Sequence, residues 1–355
     1  MEKECLYSIN ELLGSALSKK ASDLHITVGV PPMMKVMGDW QPLGEVILKP
    51  KDTAFLVREL YEDEESFLAF KTFGDKDFSL SIPQMGRFRV NTFMQRGSLA
   101  AAIRLVHTEL PSPEDLLIPQ SVLDMHQVSK GLILVTGPTG SGKSTTLSCL
   151  IDLINRTRKC HILTLEEPIE FLHQHKKSVV NQREIGEDTQ SYARALRAAL
   201  RESPDVILVG EMRDLETISI AMTAAETGHL VFSTLHTLGA AKTIDRIIDV
   251  FPPNQQQQIR VQLSTVLHAV ISQQLIPSSS RGRAATFEIM TANHAVQNLI
   301  RENKTYQIDS VIHMGSGNGM QSMDRSINEL YKKNYITRED ALIYSMNPEV
   351  LLKYL

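Results

Sequence analysis

The chain has 355 residues, of which 42% are hydrophobic and 22% are charged, and its formal net charge is −4. This length exceeds one ordinary domain, so two or three domains with a packed core are expected. The negative charge argues against a protein whose main task is to wrap nucleic acid, because that task needs a basic surface, and no direct nucleic-acid partner is expected.

The cysteines and the amino terminus indicate the compartment. Cys5, Cys149 and Cys160 form no C-x-x-C pair, which excludes a disulfide framework and a zinc site of four thiolates. The first residues, MEKECLYSINELL, are acidic and lack the apolar core of a secretory signal. No apolar run approaches the roughly 18 residues that cross a bilayer. We expect a cytoplasmic protein that reaches the inner face of the cell membrane only through partners.

Residues 1–110 predict a small mixed α/β domain. Ser8 and Glu11 have the spacing of a capping box ahead of an amphipathic helix. Within the most regular of the strand-like runs, Phe88 and Val90 alternate with polar residues, which is typical of a half-buried strand. The predicted strands are 23–28, 33–37, 78–82, 86–93 and 100–106.

A proline-rich linker, 111–119, is predicted next, because two closely spaced prolines favour an extended chain. Beyond it, apolar strands alternate with helix-like segments over 120–277, which predicts a parallel sheet covered on both faces. From 278 to 355 the chain becomes more polar and predicts a helical subdomain, with helices near 293–303 and 322–333. The core strands are predicted at 132–135, 162–165, 206–209 and 230–232.

A glycine-rich loop matches the phosphate-binding pattern G-x-x-x-x-G-K-[ST] in full. A buried strand precedes it and a helix-compatible run follows, which disfavours a turn without a ligand. Glycines let backbone N–H groups converge on phosphate oxygens, and the helix start adds partial positive charge. Lys143 is expected to reach the β- and γ-phosphates of ATP, and the Ser144 hydroxyl to hold Mg²⁺. The loop reads Gly137-Pro138-Thr139-Gly140-Ser141-Gly142-Lys143-Ser144.

Acidic residues at strand ends predict the second half of a nucleotide site. Gly210 follows the apolar run 206–209 and is expected to let the chain turn, so that Glu211 faces the loop. The stretch LEEPIE at 165–170 is a further candidate. Carboxylates near the γ-phosphate hold Mg²⁺, partly through water, and orient the attacking water. For Glu166, a solvated loop charge is the favoured interpretation.

Two histidines, His229 and His236, flank a short apolar run. Histidines at strand ends are often hydrogen-bonded structural donors. The alternative is that His236 senses the γ-phosphate from the carboxyl edge of a parallel sheet.

Together with these residues, four boxes make the chain resemble the secretion-ATPase superfamily, and within it the retraction ATPases of type IV pili. The resemblance covers nearly the whole length. It implies a small PAS-like α/β amino-terminal domain, then a RecA-like P-loop ATPase domain with a helical carboxy-terminal subdomain. It also implies a motor ATPase that couples ATP hydrolysis to pilus retraction in twitching motility. The boxes read GPTGSGKST, LEEPIEF, VILVGEMRDLET and GHLVFSTLHT.

The resemblance also implies a homohexamer in which each nucleotide lies between domains and subunits. Arg89 and Arg104 match arginines that contact the phosphates, although a solvated strand face is the alternative. Glu170 matches the glutamate that activates water, and Glu211 matches the one that holds Mg²⁺, with the two roles exchangeable. An inner-membrane platform protein and a paralogous ATPase are the implied partners. The implied nucleotide-binding set also includes Thr145, Glu167, His229 and His236.

The sequence departs from the family pattern at three places. Glu167 stands where aspartate is usual, and Leu238-Gly239 where asparagine and a small polar residue are usual. The carboxy-terminal motif reads AVQNLIRE, and the loss of a positive charge at Gln297 is expected to bear on the motif's partner contacts but not on ATP hydrolysis. The absence of a zinc-binding insert and of a long preceding domain favours retraction over extension. The alternatives are an accessory ATP-binding ring subunit and a related motor for secretion or DNA uptake, and a helicase is disfavoured by the net charge.

Overall fold

The computed structural model describes residues 7–106, 110–278, 280, 282–315 and 319–354. The chain folds into two compact units. The first contains Met1–Glu109 and Glu170–Leu172, and the second contains Leu110–Ile169 and His173–Leu355. The extreme amino terminus, with Cys5, lies outside the described residues.

The first unit is a mixed α/β fold, as predicted. Its strands form an antiparallel sheet in the order β3-β2-β1-β6-β5-β4. Side chains from this sheet and from the helices form one apolar core. The strands are β1 (Asp23–Ile26), β2 (Met33–Val36), β3 (Asp39–Pro42), β4 (Asp75–Ile82), β5 (Gly86–Gln95) and β6 (Ser98–Leu105), and the helices are α1 (Ile9–Ser18), α2 (Pro50–Arg58) and α3 (Glu64–Phe73).

The start of α1 confirms the predicted capping box. The Ser8 hydroxyl accepts from the Glu11 amide at 3.3 Å, and the Glu11 carboxylate accepts from the Ser8 amide at 3.0 Å. Two N–H groups without helical partners are thereby satisfied. The sequence did not predict β3, because all four of its residues are exposed and it lacks the alternation of a half-buried strand.

The second unit contains a sheet in the order β13-β12-β7-β11-β10-β8-β9, parallel except for β13 at one edge. Strand β7 shows why its sequence is continuously apolar, since Leu132 and Leu134 enter one core while Ile133 and Val135 enter the other. The predicted parallel sheet with two covered faces is confirmed. The strands are β7 (Gly131–Thr136), β8 (His161–Glu166), β9 (Val179–Glu184), β10 (Val206–Val209), β11 (Leu230–Leu235), β12 (Leu267–Ser278) and β13 (Gly282–Thr291).

Helices cover the two faces of this sheet and form the carboxy-terminal region. The predicted helices near 293–303 and 322–333 are present. None of the helices in the described ranges is long and apolar enough to cross a bilayer. They are α4 (Gln120–Leu123), α5 (Lys143–Thr157), α6 (Tyr192–Ala199), α7 (Leu215–Glu226), α8 (Ala240–Asp249), α9 (Pro253–Val266), α10 (His294–Arg301), α11 (Ile308–Met314), α12 (Met323–Lys332), α13 (Arg338–Tyr344) and α14 (Pro348–Leu351), with short 3₁₀ turns at Asp124–Gln127 and Thr305–Gln307.

Two segments differ from the sequence-based expectation. The region from 278, predicted as helical, begins with β13, which pairs with β12 along its whole length. The predicted linker 111–119 belongs to the second unit and is folded rather than extended. Its backbone forms turns, with the Ile118 amide donating to the Pro113 carbonyl at 3.0 Å, because the apolar Ile118 side chain is buried in the core beside α5.

Acid sensitivity is predicted from His173. Burial lowers the pKa of His173 to about 4, an effect that Asp152 opposes and Lys176 reinforces. Between pH 6.5 and pH 4 the unfolded chain binds a proton that the folded chain does not, so stability falls as the pH falls. The expected loss is about 3 kcal/mol over this window. Urea unfolding at several pH values should show a smaller loss in His173→Gln, and identical pH dependence in the two proteins would contradict the assignment.

Candidate nucleotide-binding site

The glycine-rich loop joins the carboxyl end of β7 to the amino end of α5. At Gly137 the fit is tight, since a Cβ there would lie 2.1 Å from the carbonyl oxygen of Gln273 and 2.8 Å from Ser141 Oγ. Any larger residue would displace the loop from β12. Pro138, Thr139 and Gly140 are exposed at the crest of the loop, and Gly142 is the N-cap of α5.

Lys143 is the first residue of α5, and its side chain lies over the loop. Its Nζ donates to the carbonyl oxygens of Gly137 at 2.9 Å and Pro138 at 3.0 Å. Ser144 and Thr145 follow on the first helical turn and are partly exposed. The buried Ser141 hydroxyl has no hydrogen-bond partner among the described residues. An ammonium group, hydroxyls and helix-start amides at one loop fit a polyphosphate.

Residues from three adjacent strand ends meet beside this loop. Thr139 follows β7, Glu211 follows β10 and His236 follows β11. Thr139 Oγ1 lies 3.3 Å from His236 Nδ1, and His236 Nε2 lies 3.5 Å from Glu211 Oε2. Because the three strands are parallel neighbours, their carboxyl ends bring the predicted residues together at one sheet edge.

The network extends to Arg213, a residue that the sequence analysis did not select. Arg213 Nε lies 2.6 Å from Glu211 Oε1, and the arginine side chain is 72% exposed against 16% for the glutamate. Glu211, Arg213, His236 and Arg246 line part of a cavity of about 360 Å³. The sequence offered one indication of this contact, because Arg213 lies two residues after Glu211 in the same box.

The acidic box places its carboxylates in different environments. Glu166 is the last residue of β8, and its Oε1 accepts from Thr164 Oγ1 at 2.7 Å and Gln182 Nε2 at 3.2 Å. Its interpretation as a solvated loop charge is therefore wrong, because the side chain is buried and hydrogen-bonded. Glu167 is exposed. Glu170 is also exposed and groups with the first unit, and its role as the water-activating residue remains a prediction.

Tyr192 lies among the acidic residues of the second unit. Burial raises the pKa of its phenol, and the nearby carboxylates of Glu211, Glu167 and Glu166 raise it further. Gly210 is adjacent, since a Cβ there would lie 2.8 Å from Tyr192 Oη and 3.1 Å from a main-chain oxygen of β8. Gly210 is therefore needed for close packing of Glu211's strand end against its neighbours.

Replacing Gly210 with alanine tests this packing. The added methyl group must displace either the Tyr192 hydroxyl or the β8 backbone, so the free energy of unfolding should fall by about 1–3 kcal/mol. Urea unfolding measures the loss. Adding Tyr192→Phe should restore part of it by removing the closer of the two contacts. An alanine variant as stable as the wild type would contradict the account.

The structure does not bring His229 to the loop. His229 precedes β11, whereas the loop and His236 follow the carboxyl ends of parallel strands, so six residues or about 20 Å separate the two edges. Its Nδ1 lies 2.9 Å from the Ala224 carbonyl oxygen, a helix-end contact. Within its own chain His229 therefore makes a structural contact and lies away from the loop, and nucleotide binding by His229 remains a prediction.

Arg89 and Arg104 are cross-strand partners on β5 and β6 of the first unit. Arg89 is exposed, and the Arg104 side chain is 69% exposed, with its Nε 3.1 Å from Asp23 Oδ1. Like charges directly opposite each other in a sheet are destabilising, so the pair is not explained by the stability of the sheet. Two adjacent guanidinium groups on an open face suit an anionic ligand.

Comparisons with known proteins show similarity over almost the whole chain. The type IV pilus retraction ATPase PilT of Pseudomonas aeruginosa is 48% identical over 341 residues, which span 96% of this chain and 99% of that protein. A twitching motility protein of Neisseria gonorrhoeae is 46% identical over 344 residues, spanning 97% and 92%. The crystal structure of the pilus retraction motor PilT with bound ADP aligns with a TM-score of 0.90 and 49% identity, covering 98% and 99% of the two chains.

The family described as "Type II/IV secretion system protein" matches residues 3–339, which is most of the chain. The match extends into both units and includes all four boxes that carry the resemblance. The predicted α/β fold and the predicted membership of the superfamily are confirmed by these similarities. The chain belongs to the family of type II/IV secretion system proteins.

Proposed function

We propose that this chain is a Mg²⁺-dependent ATP hydrolase that drives retraction of a type IV pilus as a homohexameric motor. The proposal rests on the short distances between the side chains of Thr139, Glu211 and His236, which lie beside the glycine-rich loop at one edge of a parallel sheet. This arrangement combines phosphate-binding groups with a carboxylate and a histidine that can face the γ-phosphate. The similarity to pilus retraction motors over almost the whole chain supports the cellular role.

Binding of ATP is assigned to the loop and to the start of α5. Lys143 exchanges its contacts with the loop carbonyl groups for contacts with the β- and γ-phosphates. The backbone amides between Gly140 and Thr145 supply further donors. The Ser144 hydroxyl, and Glu211 through water, would hold Mg²⁺, which when bound would neutralise charge on the phosphate oxygens. Oxygen ligands of this kind suit a hard cation.

Hydrolysis requires a water molecule aligned with the γ-phosphate. Glu170 is proposed to accept hydrogen bonds from this water, and Glu211 to complete the water network, with the two roles exchangeable. His236, held between Thr139 and Glu211, is proposed to contact the γ-phosphate and thus to distinguish ATP from ADP. Glu167 extends the acidic surface of this site.

The arginine pair supplies the mechanical coupling in this proposal. Arg89 and Arg104 form charge-assisted hydrogen bonds with the phosphates only when the ring closes around ATP. Phosphate release removes part of the negative charge and weakens these contacts, so the arginine-bearing unit moves away. Successive cycles around the ring transmit this movement to an inner-membrane platform protein, which anchors the motor to the membrane.

Deletion of the gene and scoring of surface fibres test the cellular role. Retained fibres that no longer retract are expected, and restoration should require the wild-type protein, with Lys143→Ala failing to restore it. Missing fibres would instead indicate an assembly motor. Full restoration by Lys143→Ala would favour the accessory ring subunit, an alternative that the altered charge at Gln297 in the AVQNLIRE motif keeps open.

A further inference from the structure

Helix α8 begins directly after the His236 segment and has no side-chain cap of its own. Its N-cap is Gly239. Side chains from two other strands take the place of a cap. The Gly239 amide donates to Ser272 Oγ at 2.8 Å, and the Ala240 amide donates to Glu288 Oε1 at 2.8 Å. Two of the amides at the helix start are thereby satisfied from outside the helix.

Ser272 and Glu288 are buried neighbours whose positions are fixed by the sheet. They are directly paired across β12 and β13, so their side chains share one face of the sheet. Both are buried, with exposures of 0% and 6%. A buried carboxylate is retained where it accepts a hydrogen bond, as Glu288 does from the start of α8.

A chain of hydroxyl groups holds the other side of the same segment. Thr237 Oγ1 lies 2.8 Å from Thr243 Oγ1, which donates to the Gly239 carbonyl oxygen at 2.8 Å. Thr243 Oγ1 also lies 3.5 Å from the hydroxyl of Thr136, the last residue before the glycine-rich loop. The backbone between His236 and α8 is thus fixed on both sides by buried groups.

From these contacts we infer that Glu288, together with Ser272, is a positioning residue for ATP hydrolysis. It fixes the backbone at 239–240, which sets the place of His236 relative to Thr139 and Glu211. The inference rests on the proposed contact between His236 and the γ-phosphate. It assigns Glu288 to the γ-phosphate-dependent step and not to the binding of the rest of the nucleotide.

The next residue of β12 serves the opposite face of the sheet. Gln273 Oε1 accepts from Thr146 Oγ1 on α5 at 2.8 Å, and its carbonyl oxygen lies against Gly137. Gln273 therefore supports the phosphate-binding loop, whereas Ser272 and Glu288 support the histidine segment. Variants on the two faces should separate nucleotide binding from hydrolysis.

The test compares Glu288→Ala, Glu288→Gln and Ser272→Ala in the full-length protein. In Glu288→Ala we expect kcat to fall about 10²-fold, because small displacements of catalytic groups have effects of this size. The dissociation constant for ADP should stay unchanged. Glutamine keeps one acceptor oxygen, so Glu288→Gln should have an intermediate kcat. Hydrogen exchange of the Gly239 and Ala240 amides should be faster in all three.

Two further variants serve as references. Thr286→Val changes an equally buried position two residues from Glu288 on β13 and should leave kcat and exchange as in the wild type. Gln273→Ala should weaken ADP binding, which the Glu288 variants should not do. If Glu288→Ala does not fold, Ser272→Ala provides the same readouts.

Three results would overturn the inference. These are a wild-type kcat in Glu288→Ala and Ser272→Ala, unchanged amide exchange at 239–240, or a loss of ADP affinity equal to that in Gln273→Ala. A separate His236→Ala variant distinguishes failure of the proposed role of His236 from failure of the inference about Glu288. Wild-type kcat in His236→Ala would remove the proposed role of His236 and the inference with it. Wild-type kcat in the Glu288 variants alone would remove only the inference.

Discussion

Replacing Glu211 with glutamine is expected to lower kcat for ATP hydrolysis by about 10²- to 10⁴-fold. The amide has nearly the same size but carries no charge, so it can neither balance a metal ion nor accept a proton from the water network. The affinity for ATP should change little, because Lys143 and the loop amides remain in place. Steady-state phosphate release and equilibrium binding of a fluorescent ATP analogue measure the two quantities.

Glu216→Gln is the matched control for this variant. Glu216 lies five residues further along the chain, on α7, and forms an exposed ion pair with Arg197. Its neutralisation should leave kcat near the wild-type value, since exposed ion pairs contribute little. A Glu211→Gln protein that hydrolyses ATP as fast as the control would remove Glu211 from the catalytic site.

Replacing Arg104 with alanine is expected to lower kcat by about 10³- to 10⁵-fold, the range known for arginines that stabilise charge in phosphoryl transfer. The fold of the first unit should persist, because the side chain is mostly exposed and its Asp23 contact is at the surface. Arg96→Asn is the control. It removes a charge from the turn of the same hairpin at a position with φ of +47°, which asparagine tolerates.

Mixing two inactive variants tests whether the arginine acts between subunits. Arg104→Ala keeps its phosphate loop, and Lys143→Ala keeps its arginine. In mixed rings the second subunit type can supply Arg104 to the nucleotide held by the first. We therefore expect mixing to restore part of the ATPase activity. An Arg104→Ala protein with normal activity, or mixtures as inactive as their components, would contradict a contact in trans.

The phosphate site was predictable from the sequence because its chemistry depends on local order. The spacing of the glycines and Lys143 predicts a loop between a strand and a helix. The parallel strands could be predicted from their continuous apolar sequences, because both faces of the sheet are buried. The role of the arginine pair was predicted only through family resemblance. Its register, with Arg89 opposite Arg104, depends on hairpin pairing that spacing along the chain does not determine.

Other features depend on tertiary context. His229 and His236 flank the same strand, yet the two ends of a strand lie at opposite edges of the sheet. Strand β12 was missed because Ser272 and Gln273 interrupt its apolar pattern, and the structure shows that these buried polar groups support two different loops. Gly210 was predicted to let the chain turn, and the structure shows a bend there and adds a second reason for glycine, the close approach of Tyr192.

Phosphate release by the purified protein with Mg²⁺ and ATP tests the central claim most directly, with Lys143→Ala measured alongside. A nucleotide-hydrolysing motor predicts steady release by the wild type and almost none by the variant, because the lysine proposed to contact the transferred phosphate is gone. Absence of release from the folded wild-type protein, or equal release from both proteins, would contradict it.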